Sequence, residues 1–358
     1  MRLIYVDRTR PGFTRVPDGD GFKYLSARGK PLKDPRALKR IAALVIPPAW
    51  TKVWIAPHAG AHIQATGIDA KGRLQYRYHD AFRRSQEAAK FSKLIAFAQA
   101  LPKLRAAVAR DMALPGIPRE RALATLVHLL ETTLIRIGNP EYARTNESYG
   151  LSTLTPEHVV VEGATMKFEF TGKSGKKWAL AIKDRRAAKV MRACQELPGQ
   201  QLFKYLDAEG ERRSVTSADV NAYLKLAAGR RISAKDFRTW GGTTICALAL
   251  AKAPPGQSKT ALKRQVMEAL REAARALGNT PAVCRSSYVH PGILSSHGTG
   301  DLYKHLSRAL ARQVAEAAGL KPHEQAVLKL LRRLKREEVK TRKAVPAAIA
   351  FSPDALSL

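Results

Sequence analysis

The sequence has little that would tie it to a metal, a membrane or a disulfide framework. Its 358 residues include three cysteines, Cys194, Cys246 and Cys284. They are too few and too widely spaced for a zinc site or a set of bridges, and read as reduced thiols. No apolar run approaches the roughly eighteen residues that a membrane span requires. The N-terminal Met1-Arg2-Leu3-Ile4-Tyr5-Val6-Asp7-Arg8 meets charge before any stretch of signal-peptide length. The expectation is a soluble, cytoplasmic protein with no membrane partner. There is no Cys-x-x-Cys and no close acidic pair that offers a two-metal site. Gly172-Lys173-Ser174 looks like the end of a phosphate-cradling loop, but the position five residues before Gly172 is Lys167, and a hairpin follows where a helix is needed. No metal and no cofactor is expected.

Acidic residues are also scarce: 30 Asp and Glu stand against 62 Lys and Arg, a formal net charge of +32. A hydrophobic fraction of 45% is globular composition, so this charge lies on a folded body and not on a disordered basic tail. A polyanionic partner follows. Membrane surfaces are usually met by one basic helix or cluster, whereas here basic residues run from Arg2 to Lys343, which favours nucleic acid.

The first eighty residues alternate short apolar runs with turns such as Pro17-Asp18-Gly19-Asp20-Gly21, a β pattern broken by one helical stretch, Pro35 to Leu44. From about Asp80 the texture changes to Ala/Leu/Arg/Lys-rich stretches at helical spacing, including Ala81 to Leu101 and Pro118 to Ile137. A β interlude, His158 to Glu162, Met166 to Thr171 and Trp178 to Ile182, turns at Gly172 to Lys177. Helices resume and include Lys235 to Leu250, Ser258 to Leu277 and Thr280 to Tyr288. The expected class is α+β: a mainly antiparallel β domain over residues 1–84, a mainly helical catalytic domain with a small sheet over 85–310, and a basic C-terminal extension over 311–358. Its helix, Lys321 to Lys343, is expected to be solvated and to precede an Ala/Pro-rich end.

Phosphoryl transfer at a DNA phosphodiester needs a nucleophile, donors for the non-bridging oxygens and a proton donor for the leaving oxygen. Without a metal, Tyr, Arg and Lys can fill these roles, arginine through its permanently charged planar fork. Four blocks occur in order: Ile135-Arg136-Ile137-Gly138-Asn139-Pro140-Glu141-Tyr142 through Leu151; Phe170-Thr171-Gly172-Lys173; Lys235-Asp236-Phe237-Arg238-Thr239-Trp240-Gly241; and Gly278-Asn279-Thr280-Pro281 through Tyr288. Together they resemble the catalytic signature of the small type IB DNA topoisomerases of poxviruses and bacteria. The segments Ile46-Pro47-Pro48-Ala49-Trp50, Val53-Trp54, His62 to Gly67 and Gln75-Tyr76-Arg77-Tyr78-His79 resemble that family's DNA-clamp domain. The likeness covers roughly residues 40 to 295.

By that resemblance Tyr288 attacks a backbone phosphate and forms a 3′-phosphotyrosyl link. Arg136 and Arg238 clamp the non-bridging oxygens, Lys173 is the general acid, and Lys235 reaches the same phosphate. Asn279 stands where poxvirus members carry His and is assigned hydrogen bonding to the transition state. Ser174 stands where they carry an acid. Gln75, Tyr76 and Tyr78 would enter the major groove, although tyrosines packed under the sheet are as good a reading of any one of them. Tyr142 and Asn146 would touch the backbone near the cut. His79, His128 and His290 are read as structural. The family implies a monomer that closes as a C-shaped clamp on duplex DNA and relaxes supercoils without ATP or metal, nucleoid-associated in a bacterium. Two alternatives are a tyrosine recombinase, which typically has His where Lys235 stands, and a noncatalytic architectural protein, which leaves the four blocks unexplained.

Overall fold

In the computed structural model, which describes residues 3–311 and 319–344, the turn-rich N-terminal segment forms a five-stranded antiparallel sheet. Its strands are β1 (Phe13–Asp18), β2 (Gly21–Leu25), β3 (Thr51–Ile55), β4 (Ile63–Ile68) and β5 (Leu74–Tyr78), in the order β2-β1-β3-β4-β5. Helix α1 (Pro35–Ala43) follows β2, starting where Asp34 accepts a hydrogen bond from the Arg36 N–H. It closes a core of Ile41, Val53, Ile55 and Ala65, with Phe13, Tyr24 and Trp50 at its margin. The Pro47-Pro48 turn is braced by Arg15, whose guanidinium donates to the carbonyls of Ile46, Pro47, Pro48 and Trp50 at 2.6–3.2 Å. A proline-rich turn leaves carbonyls without local donors, and a buried arginine supplies them.

The chain divides into two compact units, Met1–Ser92 and Lys93–Leu358, and α2 (Asp80–Asp111) runs across the division. The second unit holds α3 (Arg119–Thr133), α4 (Pro140–Asn146), the antiparallel strands β6 (Val159–Glu162), β7 (Thr165–Thr171) and β8 (Lys177–Lys183), and α5 (Arg185–Glu196). Then come a hairpin that the sequence pattern did not announce, β9 (Lys204–Leu206) and β10 (Arg212–Ser214), and the helices α6 (Ser217–Ala228), α7 (Ala234–Leu250), α8 (Lys259–Leu277), α9 (Pro281–Ser287), α10 (Pro291–Gly298), α11 (Asp301–Ala311) and α12 (Pro322–Ala344). Helix α3 is the hub: Ala122 to Val127, Leu129 and Leu130 are all buried, and it packs against α5, α6 and α7. The three cysteines are buried and free. Among the described residues no helix is long and apolar enough to cross a membrane.

Two expectations are corrected. The helical stretch expected to reach Ile137 ends at Thr133, because Leu134 turns left-handed with φ 55° and closes the helix onto the Leu130 carbonyl. Arg136 therefore lies on an irregular segment. The basic C-terminal helix is not solvated all round. Ala326, Val327, Leu328, Leu330 and Leu331 of α12 are buried, and α12 packs on α7, α10 and α11. Its first turn is fastened by Glu324, which accepts from Arg105 at 2.8 and 2.9 Å and from the Trp240 indole at 3.2 Å. The Ala/Pro-rich end lies outside the described residues.

Candidate active site

Three irregular connections and one helix bring the expected residues of the second unit together. After α3 the chain runs past the segment that follows α4, where the Leu151 N–H donates to Arg136 O at 2.9 Å and the Ser152 N–H to Ile137 O at 2.6 Å. Gly150 makes this approach possible, since a Cβ there would sit 2.5 Å from Arg136 O. Asn139 caps α4 through the Tyr142 N–H at 3.2 Å and so points Tyr142 to the same side.

The β7–β8 hairpin is held against this segment. The Tyr149 N–H donates to Thr171 O at 2.8 Å, and Ser148 Oγ to Gly172 O at 3.3 Å. At its tip Ser174 and Gly175 both take positive φ, which leaves Lys173 exposed at the turn. Trp178 buttresses the hairpin: its indole stacks on Phe170 with ring centroids 6.0 Å apart, and it is packed so closely on Gly172 and Gly278 that a Cβ at either would come within 2.8 Å of it. Gly278 ends α8 in the left-handed conformation and delivers Asn279.

Helix α7 supplies the other side. Ser233 and Asp236 form its capping box, which fixes the first turn with Lys235 on it. One turn later Arg238 is 3% exposed. Its Nη1 donates to Leu134 O, the C-cap of α3, and its Nη2 to Leu277 O, the last residue of α8, at 2.7 Å. Two helix C-termini, where carbonyls lack partners and the dipole is negative, thus hold a cation that has no carboxylate hydrogen-bond partner among the described residues. Burial, and secondarily the Arg136 charge, press the Arg238 pKa below the usual arginine range.

Tyr288 is half-buried at the C-terminus of α9, with the Arg238 guanidinium carbon 5.0 Å from its ring centroid. Burial alone would raise the phenol pKa. The charge and hydrogen bond of Arg238, with Arg136 and Lys235 behind it, outweigh burial and leave the phenol below its ordinary value.

Arg136, Tyr142, Lys173, Lys235, Arg238 and Tyr288 line one cavity of about 380 Å³, together with Ser148 and Tyr149. Four of its lining side chains are cations and none is acidic, so its charge favours an anion. One donor on each of its two arginines, Arg136 Nη1 and Arg238 Nε, is buried without an acceptor among the described residues. Buried donors are normally paired, so both arginines keep unmet hydrogen-bonding capacity beside the cavity. Among the described residues no group of three His, Cys, Asp or Glu side chains is placed to hold a metal ion.

Other expected residues stand elsewhere. Asn279 is absent from the cavity lining: its Oδ1 accepts from Arg136 Nη2 at 2.6 Å, and its amide nitrogen lies 3.4 Å from Leu277 O. That arrangement orients Arg136. Asn146 also lies off the cavity, its amide donating to Thr145 Oγ1 at 2.7 Å. In the first unit, β5 is an edge strand. Tyr76 and Tyr78 stack outside the sheet, 38% and 39% exposed with centroids 5.6 Å apart, and are not packed beneath it. Gln75 donates to Asp69 at 2.9 Å, and Asp69 is also held by Arg73 at 2.7 Å. His79 and His290 accept main-chain N–H bonds at the starts of α2 and α10, and His128 pairs with Asp184 at 2.8 Å. Ser148, Tyr149 and Trp178 were not singled out from sequence. The first two sit inside a recognised block, but nothing in the spacing of Trp178 signals its place.

Residues 79–304 match the family model described as eukaryotic DNA topoisomerase I, catalytic core, and residues 21–69 the model described as bacterial DNA topoisomerase IB, N-terminal domain. A DNA topoisomerase 1B of Acanthamoeba polyphaga mimivirus is 34% identical over 286 residues, which cover 78% of this chain and 85% of that protein. The cavity residues all fall inside the 79–304 match, whereas Gln75, Tyr76, Tyr78 and the whole of α12 fall outside both matched segments.

Proposed function

Because the chain belongs to the type IB DNA topoisomerase family, an isomerase family acting on DNA, we propose that the cavity holds one scissile phosphodiester and that Tyr288 attacks it. The phenolic oxygen forms a bond to phosphorus and its proton passes to solvent. The bond from phosphorus to the 5′-oxygen breaks, and Lys173 gives that oxygen a proton. A 3′-phosphotyrosyl link and a free 5′-hydroxyl result, and after strand rotation the reverse steps rejoin the strand. The link conserves the energy of the broken diester, so the cycle consumes no ATP.

Arg136 and Arg238 neutralise the two non-bridging oxygens, and Lys235 adds charge from one turn before Arg238 on α7. Each donor aimed at charge that develops in the transition state is worth about 10²–10³ in rate. The same cations hold the phenol below its ordinary pKa and so ease loss of its proton. Asn279 acts through Arg136, as a positioning residue. The observation that carries this reading is a cavity lined by four cations and no acid that also contains Tyr288.

The reading extends to a monomer whose two units close around duplex DNA, with Tyr76 and Tyr78 on the DNA, at the nucleoid of a bacterial cytoplasm. The test is relaxation of supercoiled plasmid in EDTA without ATP, with Tyr288→Phe inactive yet still binding DNA. Relaxation by that variant at the wild-type rate refutes the assignment. Mass analysis of the peptide trapped on a suicide duplex should find Tyr288.

A further inference from the structure

Tyr288 lies just past α9, with φ −133° and ψ −20°, so its ring does not follow the helical direction. The N–H groups of Tyr288 and Val289 both close α9 onto the Cys284 carbonyl at 2.9 Å. The Tyr288 C=O and the His290 N–H lie on either side of Val289, and one side chain meets both. Thr243 Oγ1 donates to Tyr288 O at 3.0 Å and accepts from the His290 N–H at 3.1 Å.

Thr243 is fully buried on α7, the helix that also carries Lys235 and Arg238. Its neighbours show what a threonine in this helix ordinarily does: Thr239 and Thr244 turn their hydroxyls back onto the carbonyls of Lys235 and Trp240 in their own helix. Thr243 instead spends its hydroxyl on the segment that bears Tyr288. Gly242 lets the segment come this close, since a Cβ there would lie 3.0 Å from Tyr288 Cβ and 2.9 Å from Leu277 Cδ1. One rigid helix therefore carries the guanidinium that faces the phenol and the hydroxyl that holds the phenol's main chain.

We propose that Thr243 is a positioning residue for Tyr288, fixing the tyrosyl oxygen over the phosphate by holding the main chain on both sides of Val289. This rests on Tyr288 being the nucleophile. The same geometry serves attack and reversal, so the loss falls on both directions alike.

The test measures single-turnover cleavage of a suicide duplex, rejoining of the trapped complex to an added 5′-hydroxyl strand, DNA affinity and thermal midpoint. Thr243→Val keeps the shape and removes both hydrogen bonds. It should slow cleavage and rejoining together by about 10–100-fold, the effect of a nucleophile misplaced by about 1 Å or less, with DNA affinity unchanged. Thr243→Ser keeps the hydroxyl and should restore most of the rate. Gly242→Ala keeps Thr243 but presses on Tyr288 Cβ, and should also slow both steps.

A wild-type rate for Thr243→Val, a Thr243→Ser as slow as the valine variant, or a loss matched by weaker DNA binding overturns the proposal. If Thr243→Val does not fold, Gly242→Ala decides: slowing of both steps supports the proposal, and a wild-type rate overturns it. Tyr288→Phe is measured alongside. If it cleaves, the nucleophile assignment fails. If it is inert while Thr243→Val is unimpaired, only the role of Thr243 fails.

Discussion

Arg238→Met removes a cation that the fold buries to 3% exposure and replaces it with an uncharged side chain of similar length. The carbonyls of Leu134 and Leu277 lose their guanidinium partner, at about 1–3 kcal/mol each if they stay buried and unmet. Against this, an uncompensated buried charge disappears, which recovers several kcal/mol of desolvation. The two effects nearly offset and leave a net change within about 2 kcal/mol, or a shift in Tm of no more than roughly 8 °C for a unit of this size.

Catalysis has no such offset. The variant loses donors to the developing phosphate charge, and each is worth about 10²–10³. Covalent capture on a suicide duplex should fall at least 10³-fold, with binding at low salt retained, while calorimetry shows a protein nearly as stable as wild type. A Tm loss well beyond 12 °C would make Arg238 a structural staple. Cleavage within tenfold of wild type would remove it from the phosphate site. Either result refutes the reasoning.

Because Arg238, Arg136 and Lys235 hold the Tyr288 phenol below its ordinary value, wild-type cleavage should rise with pH and level off below pH 10. In Arg238→Met it should keep rising past the wild-type plateau, and superimposable pH–rate profiles would contradict this. Burial holds His290 down at about 4, with Glu338 pulling weakly the other way, against about 6.5 unfolded. The unfolded chain therefore takes up a proton that the folded chain refuses. This group's contribution is complete above pH 6.5 and declines by up to about 3 kcal/mol as pH falls to 4. Urea unfolding at pH 7 and pH 4.5 should show a smaller loss for His290→Asn than for wild type, and equal losses would be evidence against it. Glu324→Ala strips an acceptor from Arg105, Trp240 and the Lys321 N–H, while Arg105 retains Glu131. It should destabilise the second unit by about 2–4 kcal/mol, somewhat less than breaking a fully buried pair. A change under about 0.5 kcal/mol in denaturant unfolding would mean that α12 is not anchored there.

Features that depend on near neighbours were legible in the amino-acid order. The N-terminal β pattern, the β7–β8 hairpin and the helix from Ala234 to Leu250 follow from turn residues, alternation and caps that act over a few residues. Lys235 and Arg238 share one side of α7 because their spacing is one helical turn. The ordered blocks identified the family, and the +32 charge indicated a polyanionic partner.

Which of these residues meet is set by packing between distant segments. Arg136, Lys173, Arg238 and Tyr288 come from segments up to 152 positions apart, and their convergence depends on close packing at Gly150, Gly172, Gly242 and Gly278 that no local pattern encodes. Packing also decided that Arg238 is held by the ends of α3 and α8, and that Asn279 turns its carbonyl to Arg136. The docking of α12 was likewise invisible in its basic sequence. Its apolar residues have somewhere to be buried only because α7, α10 and α11 present a matching surface, and Glu324 finds Arg105 and Trp240 only there. Short-range propensity fixes the elements, but long-range contacts are set by which surfaces and unpartnered polar groups the assembled elements leave for one another.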